Sequence, residues 1–588
     1  MAVAKPYGVV FDTIGNRPRR PQPRPTKELS WELANHAKSY LEAGEYATGY
    51  GFLHSLLSAG TSITTPAKPY VGMLAPAAYI AFASSLIVYP AITTKSSSAE
   101  TVKGSDAALR YLQCIYNTVE GPAYKVVRKA LSFPDDRSRR RGPKHGDGSP
   151  SPGAGGDIER LDTKGAGALS VWNRADDFWH IAGWAFNCSI VHKKRWTRWK
   201  LWLEVMLDLL EADWDTCCEE SNDATGSKES LLQDSLIWRY ISSEQPTQRS
   251  TRRRIVGAVL ALGNKTSLSQ YPEVWNKETM GPKSQKDDSM PAATLDLENG
   301  ELGDYVNEDE DTIMMDAPEQ DAPKRRGRPR KSAITFEDSD EENSPTSPSD
   351  GVAALGGRDS IELRQRLIAL IAYVAQELPD SFTSLEDFCD DFTEILRGDD
   401  VHASAFGVLI STSRLPPAVQ FALNGNFLLT YVASEPPNYF LQRPTQNELE
   451  EELMPLRATS QSYTHNAKIS LILEQMFLSM MKKNWVEWTE SLQDAVETGI
   501  EARQKVFGSS RGRKGNAKNE ETSKAVMEDV SNRLMGLVEI LGIAAGREPQ
   551  TWPRSSNGSP LSSSSGSESG IEVAVPERFR QKEPVPRK

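Results

Sequence analysis

From residue 281 to residue 357 the chain is rich in Asp and Glu and poor in large apolar side chains, with Ser-Pro steps at Ser344-Pro345 and Ser347-Pro348. Such a stretch cannot bury enough surface to offset the entropy of ordering its backbone, and it is predicted to be disordered. Any packed core must then come from the sequence on either side of it. The chain has 588 residues, enough for two or three domains, and a hydrophobic fraction of only 38% leaves a good part of it unpacked.

Both flanks read as helical. On the N-terminal side, 28–43 and 45–59 form two helices broken at Gly44, with Leu29, Leu33, Ala37 and Leu41 on one face. This α-hairpin loosely resembles a tetratricopeptide-type repeat, but no second copy follows at a fixed period. Residues 69–94 carry no charge, yet Pro76 and Pro90 bracket only about 13 residues, against the ~20 a membrane span needs. A buried helix of a soluble domain is expected there. Further helices are expected near 105–119, 123–132, 230–241 and 251–262, with a basic, Gly/Ser/Pro-rich insertion at 134–164.

Seven of the 13 tryptophans fall between Trp172 and Trp214. Asp176-Asp177 suit the start of a helix carrying Phe178, Ile181, Ala185 and Cys188 on one face. A helix over 195–211 places Trp199, Leu203, Met206 and Leu210 together, with Trp202, Val205 and Leu209 beside them. So wide an apolar surface marks the core of the first region. The basic residues of 192–200 interleave with aromatics, a pattern that can also bind single strands. Helical spacing favours the core reading and leaves a basic edge over.

On the C-terminal side, Ile361, Leu363, Leu367, Leu370, Ile371 and Val374 have helical period. A helix starting at Ser384 carries Phe388, Phe392 and Leu396. Another follows the Pro416-Pro417 pair. Helices at 465–483 and 485–506 suggest an antiparallel pair, and 520–543 forms a last helix. No strand series appears. The expected fold is therefore all-α. Two helical domains of hairpin or bundle type, 28–280 and 358–545, are separated by the disordered acidic linker 281–357, with disordered tails at 1–27 and 546–588.

Within the linker lies Pro323-Lys324-Arg325-Arg326-Gly327-Arg328-Pro329-Arg330-Lys331. Its Arg326-Gly327-Arg328-Pro329 core, flanked by basic residues, resembles the AT-hook family of minor-groove DNA-binding peptides. The resemblance covers nine residues and implies that Arg326 and Arg328 reach along the floor of an A·T-rich groove. It further implies close backbone approach at Gly327 and an extended direction set by Pro329. Narrow A-tract grooves have enhanced negative potential that arginine exploits, which agrees independently. Lys324, Arg325, Arg330 and Lys331 would contact phosphates, which position without reading sequence. The same cluster also reads as a nuclear-import signal, and the two roles are compatible. Ser339, before Asp340-Glu341-Glu342, and Ser344 and Ser347 are phosphorylation candidates, where added phosphate would weaken DNA binding. The run Arg511-Gly512-Arg513-Lys514 has lysine where the motif needs proline and reads as a solvated loop.

The formal charge of −12 argues against a general nucleic-acid coat, so DNA affinity has to be local. Five cysteines without CxxC spacing suggest reduced thiols in the cytosol or nucleus. No phosphate loop, GxSxG elbow, HExxH or GxGxxG appears, and the seven histidines are scattered. No cofactor, metal, catalytic residue or small-molecule substrate is expected. Cys217-Cys218 reads as a helix end, and Asp387, Asp390 and Asp391 as a solvated helix face. The combined expectation is a nuclear, non-enzymatic chromatin-associated protein. Its helical domains would be scaffolds for other nuclear proteins in transcription, chromatin or DNA repair, and its partner would be A·T-rich duplex DNA. The alternative is a scaffold whose basic cluster serves import alone.

Overall fold

The computed structural model describes residues 24–134, 160–280, 348–432 and 444–548, apart from 66, 97, 120–123, 224–227, 399–400 and 507–513. Strands β1 (Thr26–Glu28) and β2 (Gly72–Leu74) pair in parallel, Thr26 opposite Gly72. They are too short to have left a period-2 signal. The rest of the described regular structure is helical.

Helices α1 (Trp31–Glu42) and α2 (Tyr46–Ser58) form the expected hairpin. Gly44 turns the chain between them at φ +82°, a left-handed conformation that suits glycine. Helix α3 (Ala77–Val88) starts after Pro76 and stops before Pro90, and nine of its 12 residues are buried. No helix among the described residues is long and apolar enough to cross a membrane. Helices α4 (Ala99–Thr118) and α5 (Tyr124–Ala130) pack on α2 and α3.

After the short α6 (Val171–Arg174), α7 (Phe178–Val191) begins as its sequence dictates. The Asp177 carboxylate caps it, accepting from the His180 N–H at 2.8 Å. Helix α8 (Lys193–Asp223) extends past the expected end at residue 211 and runs through Cys217-Cys218. Those cysteines therefore do not end a helix. Burial of Trp214 and Cys217 continues the apolar face into this extra stretch. Helices α9 (Lys228–Gln233), α10 (Leu236–Ile241), α11 (Arg249–Val259) and α12 (Lys265–Gln270) complete the first region. Trp172, Trp179, Trp184, Trp196, Trp199, Trp202 and Trp214 are all buried, so the tryptophan-rich segment is the hub expected of it. Its packing is close: a Cβ at Gly183 would lie 2.3 Å from the Tyr271 ring.

The second region contains α13 (Pro348–Ala354), α14 (Arg358–Glu377), α15 (Leu385–Arg397), α16 (Ala403–Ser411) and α17 (Pro417–Tyr431). Then come α18 (Tyr463–Lys482), α19 (Glu490–Gln504) and α20 (Lys514–Ala544). Ser384 caps α15, accepting from the Asp387 N–H at 3.1 Å. The expected antiparallel pairing of α18 with α19 is replaced by a different arrangement. Each packs chiefly on α20, because Asn484 turns the chain at φ +54° and 485–489 runs non-helically before α19 begins.

The two helical regions, far apart in sequence, share one hydrophobic core, with α14 against α8 and α15 against α11. Arg364 fills the seam. Fully buried, it donates to Ser360 Oγ at 3.2 Å, to the Ala261 carbonyl at 2.7 Å and to the Val259 carbonyl. Those carbonyls lie at the C-terminus of α11, where helix carbonyls lack intrahelical partners and a cation is favoured. The guanidinium also lies 4.2 Å from the centre of the Phe186 ring. Burial pushes its pKa down to about 9, so it remains charged at neutral pH.

Candidate nucleic-acid interface

The basic motif residues Lys324, Arg325, Arg326, Gly327, Arg328, Pro329, Arg330 and Lys331 lie outside the described residues. So do Ser339, Ser344, Ser347 and Arg511-Gly512-Arg513. What the folded body can offer DNA depends on where its own cations and aromatic rings are engaged.

The aromatic rings of 172–202 are not available for base stacking. The Trp179 indole N–H donates to the Tyr240 carbonyl at 2.9 Å, and Trp172 donates to Ser84 Oγ at 2.9 Å. Trp199 and Trp202 pack edge to face with centroids 5.9 Å apart. The basic run beside them is largely engaged too. Arg195 is buried on Glu278 and donates to the Val88 carbonyl at 2.8 Å. Arg198 reaches Asp106 at 2.6 Å and Lys200 reaches Asp359 at 2.8 Å. Burial raises the Glu278 carboxyl above its ordinary value, although Arg195 opposes the shift.

A second basic stretch, on α11, is engaged in the same way. Arg249 and Arg252 pair with Asp391, Arg249 and Arg253 with Glu394, and Arg254 with Asp177 and Glu244. Asp391 is thus buried in the seam and does not belong to a solvated face. Asp390 accepts from Asn426 Nδ2 at 3.1 Å. Across the same seam Arg366 meets Asp208 at 2.6 Å and Glu211 at 2.9 Å. These arginines join helices and present little free charge.

Lys194, Lys265 and Arg358 differ from these arginines, as do Lys27, Arg110, Lys125 and Lys277 elsewhere on the body. All are exposed, and none has an ion pair among the described residues. Sequence reasoning singled out only the edge containing Lys194. Lys265 and Arg358 are isolated charges at helix starts, with no run to flag them.

Other constellations are structural. His180 caps inward, with Nε2 3.0 Å from the Pro272 carbonyl. Arg128 holds Asp213 at 2.6 Å and the Cys217 sulfur at 3.0 Å. Burial pushes the Cys217 thiol up to about 12, away from thiolate reactivity. No group of three or more His, Cys, Asp or Glu among the described residues could hold a metal ion. A groove of ≈ 730 Å³ between α1, α3 and α5 is lined by Trp31, Pro76, Val126 and Trp172. Trp31 at its rim is 52% exposed. Comparison with known protein families, curated proteins and solved structures found no match.

Proposed function

We propose that this is a nuclear, non-enzymatic, chromatin-associated scaffold whose helical body is held on A·T-rich duplex DNA by the basic motif at 323–331. Its helical surfaces then receive other nuclear proteins in transcription, chromatin or DNA repair. The observation that carries the reading is Arg326-Gly327-Arg328-Pro329 with Lys324, Arg325, Arg330 and Lys331 around it, in a chain of net charge −12. Extended arginines suit the negative potential of a narrow minor groove, and the flanking cations suit phosphates. Engagement of the α8 and α11 arginines within the fold supports assigning sequence preference to the motif. A short peptide binds weakly, so it acts as a tether that raises the local concentration of the body at its site.

The compact charge of the cluster also favours a second reading, nuclear import without DNA contact. Gly327→Val separates the two, because it keeps every charge while obstructing close approach of the backbone to the groove floor. The proposal expects the variant to stay nuclear and to lose preference for an A·T-rich over a G·C-rich duplex. Unchanged duplex preference would reject the groove-binding role.

A further inference from the structure

We infer that Lys193, Lys194, Lys265 and Arg358 form a second DNA-contacting face on the folded body, one that grips the phosphate backbone beside the root of the tether. This rests on the reading of residues 323–331 as a minor-groove hook.

Three chain segments meet at the α7–α8 corner. Lys193 Nζ donates to the Ser189 carbonyl and lies 3.4 Å from the Gly356 carbonyl, two residues before Arg358. On the other side, a Cβ at Gly263 would sit 3.0 Å from Val191 Cγ1, and Lys265 follows two residues later. Four cations from three distant stretches of sequence are thereby brought to one corner, and all four are exposed.

Two carboxylates near this corner are already engaged. Asp359 is held by Lys200 at 2.8 Å. Glu273, which faces His192, accepts from the Glu278 N–H at 3.2 Å and from Thr279 Oγ1 at 2.5 Å. Neighbouring Arg195 and Arg198 are each satisfied by an acid. Lys194, Lys265 and Arg358 are left without one. In an acidic protein, a local excess of unpaired cations is the electrostatic footprint of a polyanion.

The covalent geometry links this face to the hook. Helix α13 begins at Pro348 and leads directly into Gly356-Gly357-Arg358. The 16 residues 332–347 separate Lys331 from Pro348, and they can span at most about 60 Å. A duplex held by the hook therefore stays within reach of the face. A second, tethered contact gains effective concentration in the millimolar range. Each phosphate neutralised adds about 0.9 to the salt slope of binding. The hook reads the groove, and the face adds sequence-indifferent grip and fixes which side of the body meets the duplex.

The test uses the full chain and a 24-base-pair A·T-rich duplex, with affinity measured across a salt series. The variants are Lys194→Gln/Lys265→Gln/Arg358→Gln and Arg326→Ala/Arg328→Ala. The triple variant should lose about tenfold or more in affinity and about two to three in salt slope, while keeping its A·T preference. The hook variant should lose A·T preference and keep a weak, salt-dependent binding that the triple substitution removes. Unchanged affinity and slope in the triple variant, with A·T preference intact, would overturn the face and leave the hook standing. Equal affinity of the wild type for A·T and G·C duplexes, with a slope still lowered by the triple variant, would overturn the hook reading. Lysine-acetylation footprinting of the wild type gives a check that needs no variant: duplex should slow modification of Lys194 and Lys265. Equal rates with and without duplex would overturn the face.

Discussion

The first helical region fills its core with Trp179, Trp184, Trp199, Trp202 and Trp214, whereas the second buries Leu, Ile, Met and Phe and leaves Trp485 and Trp488 half-buried. Both regions also bury cations, but the ion-paired Arg195 and Arg128 lie in the first. In the first region Arg195 is buried on Glu278 and Arg128 on Asp213, while Arg24 is buried on the Leu57 and Ala59 carbonyls. In the second, Arg364, Arg503 and Lys468 are buried on backbone carbonyls. Arg503 Nη1 reaches Met454 O at 2.9 Å and Leu456 O at 2.8 Å, and Lys468 Nζ reaches Leu396 O at 3.0 Å. Burial pushes Arg503 down to about 10. Two solutions to burying a cation thus coexist. An ion pair needs both partners or neither. A carbonyl cage ties loop and helix-end backbone to a single side chain, and Arg364 uses it to join the two regions.

Breaking an ion pair should have the largest effect. Arg195→Met strands Glu278 in the core and should cost about 3–5 kcal/mol by denaturant unfolding. The loss should depend on pH. Glu278 has its folded pKa raised by burial, so the folded chain holds that proton more readily, and ionisation lowers stability as pH rises. Removing Arg195 raises the pKa further, so the deficit should be smaller at pH 5 than at pH 8. A deficit independent of pH would show that Glu278 is not the stranded charge.

Breaking the cage should come next. Arg364→Met keeps most of the volume but leaves the Val259 and Ala261 carbonyls without their donor, at a cost of about 2–3 kcal/mol. Hydrogen exchange should rise along α14 and at the end of α11, with the tryptophan hub protected. Uniform exchange through both regions would erase the distinction between hub and seam.

The smallest difference lies inside the hub. Trp179 donates to Tyr240 O, while the Trp199 indole N–H has no acceptor among the described residues. Trp179→Phe should therefore cost about 1 kcal/mol more than Trp199→Phe. Equal losses would mean that area alone sets the hub's stability.

Local chemistry was legible in the sequence. Gly44 announces the hairpin turn, Pro76 and Pro90 delimit α3, and Asp177 and Ser384 mark helix starts. Trp199, Leu203, Met206 and Leu210 announce one buried face. What stayed hidden depends on partners distant in sequence. Asp391 looks solvated until Arg249 and Arg252 arrive from the other region. Arg364, in an amphipathic helix, gives no sign that it fills a carbonyl cage. The pairing of α18 with α19 followed from their lengths, but the packing on α20 depends on shape that periodicity does not encode. The basic motif, readable at once from its residues, lies outside the described residues. Of the cationic face the sequence hinted only at Lys193 and Lys194, because Lys265 and Arg358 join it through tertiary structure alone.

The central claim is that Arg326 and Arg328 hold this protein on the minor groove of A·T-rich DNA. The most direct measurement is the ratio of affinities for an A·T-rich and a G·C-rich duplex, taken at one fixed salt concentration for the wild type and for Arg326→Ala/Arg328→Ala. The account predicts a clear A·T preference in the wild type and a ratio near one in the variant. A wild-type ratio of one, or a preference that survives the double substitution, would contradict it.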